Sequence, residues 1–335
     1  MRTIAINGFG RIGRAAFKIA LANRKIKIAA LNDLTDTKTL AYLLKYDSAY
    51  GRFKGSVGYD AQHLIVNGKK YPVLSQPDPA KLPWKKMKVD VVLECTGVFD
   101  KNEDLKKHLR AGAKKVILSA PAKDEMTQTL VLGTESTRAN LGKNDRIISN
   151  ASCTTNCIAP IMQVLVSKFG VEKAIMTTVH AYTASQKLVD SPDAKDLRRG
   201  RAGAVNLVPS TTGAAKATAK VVPQLKDKFD GIAIRVPVIC GSLADITVLL
   251  TKETTVEKLN RAFMAAAQSQ LYKNILAVTG DLDQLGSADI IGLDYSCLID
   301  LPFTRLVGGN LAKILAWYDN EWGYSRRLVE MALLA

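Results

Sequence analysis

Residues 6–14 read INGFGRIGR, and the glycines Gly8, Gly10 and Gly13 have the G-x-G-x-x-G spacing of a dinucleotide-binding fingerprint. A short β-prone run precedes the motif, and apolar residues at helical spacing in Arg14–Asn23 predict a helix after it. The first glycine permits a tight turn, the second lets a pyrophosphate approach the backbone, and the third lets the helix pack on the sheet. In this context the fingerprint predicts a Rossmann-type α/β domain.

The fingerprint is completed by an acidic residue at the end of the next predicted strand. Ile26–Leu31 is apolar on both faces and leads into Asn32-Asp33, which places Asp33 twenty residues beyond Gly13. A carboxylate there accepts hydrogen bonds from a ribose 2′-hydroxyl and repels a 2′-phosphate. The pattern therefore favours NAD over NADP.

Two different sheets are expected in the two halves of the chain. Before residue 150 strand and helix patterns alternate, which is typical of a doubly wound parallel sheet. After about residue 170 β-rich runs follow one another with few helices between them, which predicts an α+β domain with a mixed or antiparallel sheet. The change falls near Ala151–Cys153. The clearest predicted elements are the strands Val89–Cys95, Lys115–Ser119, Ala174–Val179, Gly231–Val238, Ala244–Leu250 and Lys313–Tyr318, and the helices Lys101–Ala111, Thr255–Gln270 and Arg326–Leu334.

The composition of the chain indicates which ligands, which relation to a membrane and which compartment to expect. The 335 residues carry 47 Lys and Arg against 31 Asp and Glu, a net charge of +16, so anions are the expected partners. Ile147–Ser167 lacks formal charge but contains Asn150, Asn156 and Pro160, so we expect no membrane span. The odd count of five Cys and the absence of an export signal point to a reducing cytoplasm.

A candidate nucleophile stands at the start of a predicted helix. Residues 149–157 read SNASCTTNC, in which Ser152 is a suitable N-cap and Cys153 lies in the first helical turn. The positive end of the helix dipole stabilises a thiolate at that position. Cys157 is one turn further on, but with few other ligand types nearby we predict no metal site.

His180 is the candidate base. It ends an apolar strand in TTVHAYT, and beside a nucleophilic Cys it would hold the thiolate and move a proton. A satisfied core histidine is the alternative interpretation of this position. The other two histidines, His63 and His108, lie in polar stretches and are expected at the surface.

Several residues have the chemistry of phosphate binding. Thr183 follows His180 by three residues, and the run Ser210–Lys216 places hydroxyls and Gly213 before a helix. Arg235 lies inside an apolar strand, where a buried guanidinium needs a partner. A substrate phosphate would serve, and a structural salt bridge is the alternative. Arg199, in a basic loop, is a further candidate.

Together these motifs resemble the phosphorylating glyceraldehyde-3-phosphate dehydrogenases nearly from end to end. The matching segments are INGFGRIGR at 6–14, LLKYDSAYGRF at 43–53, SNASCTTNCIAP at 149–160, TVHAYTASQ at 178–186, STTGAAKA at 210–217, RVP at 235–237 and WYDNEWGYSRR at 317–327.

The resemblance implies a chemical mechanism and a set of site residues. Cys153 would attack the aldehyde of glyceraldehyde 3-phosphate to give a hemithioacetal, whose oxidation by NAD leaves a thioester that inorganic phosphate releases. His180 would activate Cys153 and act as acid and base. The positions that match the family's cofactor contacts are Gly8, Gly10, Arg11, Ile12, Gly13, Asp33, Ser119 and Asn320. Those that match its phosphate sites are Ser152, Thr154, Thr183, Arg199, Thr212, Gly213 and Arg235.

The resemblance also implies organisation and assembly. The C-terminal helix would return to the cofactor domain, giving a Rossmann domain of residues 1–152 and 317–335 and a catalytic domain of residues 153–316. A cytoplasmic homotetramer is the usual assembly of the family.

Some positions depart from the family pattern. Pro77 precedes Asp78-Pro79 where a basic residue is common, and the loop 188–195 has Ser191 before Pro192. These departures leave dual use of NAD and NADP open. Cys240-Gly241, where Asn or Thr is more usual, and Leu301–Gly309 also depart but are not expected to carry the chemistry.

Two alternative functions stay open. Erythrose-4-phosphate dehydrogenase uses the same Cys–His pair, but its pattern lacks the HAYT and TTGAAK runs that are present here. A secondary RNA-binding role through the cofactor groove would draw on the basic surface.

Overall fold

The computed structural model describes residues 1–142, 145–194 and 196–335. Clustering of contacts divides the chain into two compact units. Unit 1 comprises Met1–Leu130, Asn140–Ala151 and Ser325–Ala335, and unit 2 comprises Val131–Ala139 and Ser152–Tyr324.

Unit 1 contains the parallel sheet. Its strands are β1 (Arg2–Asn7), β2 (Ile26–Asn32), β3 (Tyr46–Asp47), β4 (Gly51–Arg52), β5 (Val57–Tyr59), β6 (His63–Val66), β7 (Lys69–Leu74), β8 (Val91–Glu94), β9 (Lys115–Leu118), β10 (Gln128–Thr129) and β11 (Ile147–Ser149). Over the described residues the order is β10–β11–β9–β8–β1–β2–β7–β6–β5, with β3 and β4 forming a separate hairpin. All pairs from β10 to β7 are parallel, whereas β5, β6 and β7 pair antiparallel.

Unit 2 contains a mixed sheet. Its strands are β12 (Val171–Ala181), β13 (Val208–Thr211), β14 (Phe229–Val236), β15 (Ser242–Leu250), β16 (Leu276–Val278), β17 (Cys297–Ile299), β18 (Arg305–Val307) and β19 (Leu311–Tyr318). They lie in the order β13–β14–β12–β15–β19–β17–β16, with β18 paired to β19. The β12–β14 and β16–β17 pairs are parallel and the others antiparallel, so the predicted fold class is confirmed.

The helices follow the sequence patterns with small shifts at their ends. The α-helices are α1 (Arg11–Leu21), α2 (Thr37–Lys45), α3 (Asn102–Arg110), α4 (Glu135–Asn140), α5 (Cys153–Phe169), α6 (Ala214–Val221), α7 (Val256–Gln268) and α8 (Trp322–Leu334). Short 3₁₀ helices cover Pro79–Lys81, Leu197–Gly200, Pro223–Leu225, Ser287–Ile290 and Leu301–Phe303. Across the described residues, no helix is both long and apolar enough to cross a membrane.

Helix α5 forms the core of unit 2. It is apolar on nearly all sides, it is buried from Thr154 to Leu165, and it contacts β15, β17 and β19. Gly170 ends it with a φ of +69°, a conformation that favours glycine. Because this helix is packed on every side, its first turn is held in a fixed position.

His108 lies in the core, so the expectation that it is a surface residue is wrong. Its side chain is 0% exposed on α3, where it shares a helical face with Leu105. Trp84 Nε1 donates to His108 Nδ1 at 3.0 Å, which leaves Nε2 as the protonated nitrogen facing Glu94 Oε2 at 3.0 Å. Glu94 is also 0% exposed and accepts from Asn7 Nδ2 at 2.6 Å. A buried polar network therefore joins α3 to the ends of β1 and β8.

Substitution of His108 tests this network. We expect His108→Ala to lower the free energy of unfolding by about 3 kcal/mol or more, because it leaves the Trp84 and Glu94 groups unpaired beside a cavity. Urea denaturation measures the change. His63→Ala is the matched control, since His63 is partly exposed and pairs with Asp60, and it should cost less than about 1 kcal/mol. Equal effects of the two substitutions would contradict the structural role of His108.

Candidate active site

A cavity of about 460 Å³ lies at the carboxyl ends of the parallel strands in unit 1. The polar ends of β1, β2 and β8 meet at this edge of the sheet, the usual place for a ligand in such folds. Its lining residues are Asn7, Gly8, Gly10, Asn32, Asp33, Leu34, Gln76, Pro77, Cys95, Thr96, Val98 and Phe99. Of these, Gly8, Gly10 and Asp33 were predicted from the sequence as cofactor-binding residues. Gln76 and Thr96 line the cavity only because the strands that precede them lie beside β1 and β2 in the sheet.

The three fingerprint glycines have different surroundings. Gly8 has a φ of +90°, and a Cβ there would lie 2.6 Å from the backbone nitrogen of Thr96. A Cβ on Gly13 would lie 2.0 Å from the carbonyl oxygen of Gly8, so the helix could not approach the strand as closely. Apart from the neighbouring residues in the chain, no atom of the described residues lies within 4 Å of the Cβ position of Gly10. The open space at Gly10 is where the fingerprint requires room for a pyrophosphate.

Asp33 is held in the cavity wall by backbone donors. Its Oδ2 accepts from the backbone N–H of Phe9 at 2.7 Å, and its Oδ1 accepts from Thr35 at 2.9 Å. These bonds fix the carboxylate next to the fingerprint turn and leave lone pairs for further donors. The arrangement fits the 2′-hydroxyl of an NAD ribose.

Arg11, Ile12 and Ser119 are also predicted to contact the cofactor, and they lie at the same edge of the sheet in unit 1. Helix α1 begins at Arg11 with Gly10 as its N-cap, and Ile12 is in the first turn. The Arg11 guanidinium bonds to Asp47 at 2.8 Å and lies over the Tyr50 ring, so its side chain is directed to the β3–β4 hairpin. Ser119 follows β9 and donates its backbone N–H to Glu94. Their cofactor contacts stay predictions.

In unit 2 the first turn of α5 presents Cys153. Ser152 is the N-cap, and its Oγ accepts from the backbone N–H of Thr155 at 3.0 Å. The Thr154 hydroxyl is buried and bonds to Tyr318 Oη at 2.9 Å. Consequently the hydroxyls of Ser152 and Thr154 stabilise the helix start, and a role of either residue in phosphate binding stays a prediction.

His180 and Arg235 meet at the thiol of Cys153. His180 Nε2 lies 3.4 Å from Cys153 Sγ, and Arg235 Nη1 lies 2.5 Å from His180 Nδ1. The same Nδ1 is 2.7 Å from the carbonyl oxygen of Ala181. His180 and Arg235 are partners in the parallel β12–β14 pair, which explains how residues 55 positions apart come together.

Burial and charge set the protonation of this group. Burial lowers the pKa of His180 to about 3, with the positive charge of Arg235 as the next cause. Burial raises the pKa of the Cys153 thiol, whereas the charge of Arg235 lowers it. At neutral pH His180 is therefore uncharged. If Arg235 Nη1 donates to Nδ1, the hydrogen of the ring is on Nε2. Nε2 accepts a proton only in the other tautomer, in which Nδ1–H donates to the carbonyl oxygen of Ala181 and Arg235 Nη1 donates to that same oxygen at 3.3 Å.

A second arginine adds to the positive potential of the site. Burial is the main cause that lowers the pKa of Arg235, and Cys153 and Tyr318 oppose it. The positive charge of Arg199 lowers this pKa further, so the two arginines are close enough to interact electrostatically. Among the ion pairs of the described residues, none joins Arg199 or Arg235 to a carboxylate. The structural salt bridge considered for Arg235 is therefore not found in that part of the chain.

The remaining phosphate candidates are less closely tied to the thiol. Thr183 bonds through its hydroxyl to Ser185 at 2.9 Å. Thr212 Oγ1 accepts from the backbone N–H of Ala214 at 3.2 Å, and Gly213 is the N-cap of α6. Lys195, which ends the loop 188–195, lies outside the described residues.

Asn320 and its neighbours were only partly found from sequence. Asn320 is buried at 5% exposure and accepts from Ser242 Oγ at 2.9 Å. Cys240 and Ser242, which contact it, carry no motif, and only the strand pairing brings them there. Across the described residues, no cluster of three or more His, Cys, Asp or Glu suited to a metal ion is present.

Comparison with known proteins gives one family. A family model described as the NAD binding domain of glyceraldehyde 3-phosphate dehydrogenase matches residues 2–102, and one described as its C-terminal domain matches residues 152–320. The chain is 51% identical over 331 residues to a glyceraldehyde-3-phosphate dehydrogenase of Streptomyces coelicolor, covering 98% of this chain and 97% of that protein. It is 50% identical over 332 residues to glyceraldehyde-3-phosphate dehydrogenase 1 of Bacillus cereus, with coverages of 99% and 98%. The corresponding protein of Geobacillus stearothermophilus is 50% identical over 329 residues, with coverages of 98% and 96%.

Removal of the Arg235 charge tests the electrostatics of the site. Because this charge lowers the pKa of Cys153, Arg235→Gln should raise that pKa and reduce the thiolate fraction at a fixed pH near 8. A shift of one pKa unit slows alkylation of Cys153 by iodoacetamide about tenfold. The rate is followed by mass spectrometry of the Cys153 peptide across the pH range. The control is Arg201→Gln, since Arg201 is exposed and pairs with Asp190. An unchanged pH profile in Arg235→Gln would show that Arg235 does not tune the thiol.

Proposed function

The chain belongs to the glyceraldehyde-3-phosphate dehydrogenase family, and from that membership we propose that it oxidises glyceraldehyde 3-phosphate with NAD and inorganic phosphate through Cys153. The observation that carries the assignment of the nucleophile is the Sγ–Nε2 distance of 3.4 Å between Cys153 and His180 at the start of α5. The cavity beside Gly10 and Asp33 in unit 1 fits the cofactor. Bound NAD supplies the hydride acceptor.

The first step is addition of the thiol to the aldehyde. Cys153 Sγ forms a bond to the aldehyde carbon, and the carbonyl oxygen gains a proton, which gives a hemithioacetal. His180 Nε2 is the group at hydrogen-bond distance from Sγ, so it takes the thiol proton and returns one to the oxygen. The lowered pKa of His180 leaves it neutral at pH 7, and it also makes His180 a weak base until the charge of Arg235 is offset.

Oxidation and phosphorolysis complete the cycle. Loss of a hydride from the carbon and of the hydroxyl proton to His180 converts the hemithioacetal to a thioester. An oxygen of inorganic phosphate then attacks the acyl carbon, the C–S bond breaks, and Cys153 leaves as the thiolate. The product is the acyl phosphate, 1,3-bisphosphoglycerate.

Anion binding also adjusts the base. The Arg235 guanidinium, with Arg199 nearby, is suited to the phosphate groups of the substrates. Because its charge lowers the pKa of His180, a phosphate bound to Arg235 offsets that effect and raises the basicity of His180. Substrate binding therefore prepares the group that accepts the proton.

Cofactor selectivity follows from Asp33. Its carboxylate is fixed by Phe9 and Thr35 where it accepts a ribose hydroxyl, and a 2′-phosphate placed there would be repelled. NAD is therefore the preferred cofactor.

We also propose the domain organisation and the compartment. The cofactor domain comprises residues 1–152 and 317–335, and the catalytic domain comprises residues 153–316. We place the enzyme in the cytoplasm.

An activity assay tests the reaction. Absorbance at 340 nm should rise with glyceraldehyde 3-phosphate, NAD and inorganic phosphate, and multiple turnover should require the phosphate. Cys153→Ser should lower the rate by at least about a thousandfold because the alcohol is a poor nucleophile, while NAD affinity stays within twofold.

Controls make the assay specific. Cys297→Ala, which changes a buried thiol on β17, should retain activity. Parallel runs with NADP and with erythrose 4-phosphate test selectivity. A clear preference for the four-carbon sugar, or turnover independent of phosphate, would contradict the proposed reaction.

Exposed apolar residues support the homotetramer. Between residues 188 and 207, the side chains Leu188 and Leu197 are 84% and 86% exposed, and Val189, Val205 and Leu207 are also exposed. An apolar set of this kind is typical of an interface between copies. Light scattering of the purified protein should give four times the chain mass of 36.4 kDa. Leu188→Ser with Leu197→Ser should shift the population to smaller species, and a wild-type monomer at micromolar concentration would contradict the proposal.

A further inference from the structure

A second cavity, of about 770 Å³, lies within unit 2 and is lined by residues that have no part in the proposed reaction. Its volume is within the range of about 300–1,000 Å³ that is typical of ligand pockets. Half of its ten lining residues are lysines. They are Lys173, Lys216, Lys220, Lys226 and Lys228. Two carboxylates, Asp227 and Asp230, also line the cavity, so five positive charges face two negative ones.

The fold brings these lysines together from three segments of the chain. Lys216 and Lys220 are one turn apart on α6 and share a face of the helix. Lys226 and Lys228 lie in the segment that leads into β14. The carbonyl oxygen of Lys228 accepts from the backbone N–H of Ala174 at 2.8 Å, which joins that segment to β12. No run of charge in the sequence therefore reveals the cluster.

The positive charge of the cavity is not neutralised by ion pairs. Three of the lysines have no carboxylate within ion-pair distance in the part of the chain that the structure describes. They are Lys216, Lys226 and Lys228. Lys173 lies 3.7 Å from Glu172 in an exposed pair, which contributes little. By contrast, the exposed Lys70 and Lys114 pair with carboxylates at 2.8 Å and 2.7 Å. The charge of the cavity is thus left for an anion.

The two aspartates of the lining do not neutralise the lysines. Among the ion pairs of the described residues, none includes Asp227 or Asp230. Asp230 Oδ1 accepts from the backbone N–H of Gly231 at 2.8 Å. Asp227 has a φ of +60°, a conformation that Asp and Asn adopt more readily than most residues. Both carboxylates therefore reduce the attraction of the cavity for an anion.

The chemistry of the lining favours a chain of phosphates without bases. A lysine ammonium is a compact point charge with three donors, and several of them around one cavity suit a ligand with many anionic oxygens. Proteins that bind single-stranded nucleic acid combine a positive groove with aromatic rings on which bases stack. Of the ten lining residues only Phe229 is aromatic, and at 8% exposure it offers no face for stacking.

We propose that this cavity is a binding site for linear inorganic polyphosphate, which the ammonium groups of Lys216, Lys220, Lys226 and Lys228 hold. The site depends neither on NAD nor on the proposed reaction. In a symmetric contact between two copies of the chain, this face would meet itself and place lysines against lysines. The repulsion keeps the cavity available to an anion.

Isothermal titration calorimetry with a short linear polyphosphate tests the site, with NAD at saturation so that the cofactor cavity is occupied. Lys226→Gln combined with Lys228→Gln should weaken binding about tenfold at low salt, because two exposed charge pairs are lost. The same variant should reduce the slope of log K against log salt by about 2, or about 1 for each lysine that contacts phosphate. Asp227→Asn should strengthen binding about twofold to threefold, since it removes a repelling charge.

Matched controls separate a site from a general effect of charge. Lys70→Gln combined with Lys114→Gln changes the net charge equally but lies in unit 1, and it should leave polyphosphate affinity within about twofold. Arg235→Gln should also leave it within about twofold, because that guanidinium belongs to the catalytic group. An equal loss in either control and in the Lys226 and Lys228 variant would overturn the proposal.

A single-stranded DNA oligonucleotide is the second titrant. Binding of the oligonucleotide as tight as that of polyphosphate, and equally weakened in the Lys226 and Lys228 variant, would replace polyphosphate by nucleic acid and overturn the proposal. Absence of polyphosphate binding to the wild type would overturn it as well. Thermal unfolding checks that each variant is folded, and Lys216→Gln with Lys220→Gln replaces the first pair if that one does not fold.

Discussion

The parallel pairing of β12 with β14 is the constraint on which the site in unit 2 depends. It makes His180 and Arg235 direct neighbours, and the buried start of α5 brings Cys153 to the imidazole. A shift of one residue in the pairing would turn Arg235 to the other face of the sheet, since side chains alternate along a strand. The pKa values of both the thiol and the imidazole depend on the charge of Arg235, so the protonation of the site is a consequence of strand register.

This arrangement costs free energy, because it buries one positive charge near another. Arg235 is mostly buried and lies near Arg199, and burial lowers its pKa. In the described residues no carboxylate forms an ion pair with Arg199 or Arg235, so their charges are left for an anion. A salt bridge to Asp or Glu would stabilise the fold but would compete with a substrate phosphate. The exchange of stability for binding is common at functional sites.

The features that were predicted from the sequence are those that depend on residues close together in the chain. The glycine spacing places the turn before α1, and the residue types at 152 and 153 place a nucleophile in a first helical turn; both patterns act within a few residues. His108 was misplaced because its neighbours Lys106, Lys107 and Arg110 are polar, although its spacing from Leu105 indicates a shared helical face. Gln76, Thr96 and Ser242 could not be found, because their roles depend on which strands lie side by side.

The residues that orient the site come from different strands than the residues that react. Ser242 begins β15 and Cys240 precedes it, whereas His180 is the last residue but one of β12 and Asn320 follows β19. Antiparallel pairing joins β15 to both β12 and β19, so β15 lies between the strand of the proposed base and the strand that leads to the amide. A hydroxyl at the start of this central strand reaches both sides, as Ser242 does. The departure at Cys240-Gly241, which was not expected to bear on the chemistry, therefore lies beside a residue predicted to contact the cofactor. Gly241 has a φ of +87°, and a Cβ there would lie 2.1 Å from the carbonyl oxygen of Ser287, so the backbone itself holds Cys240 in place.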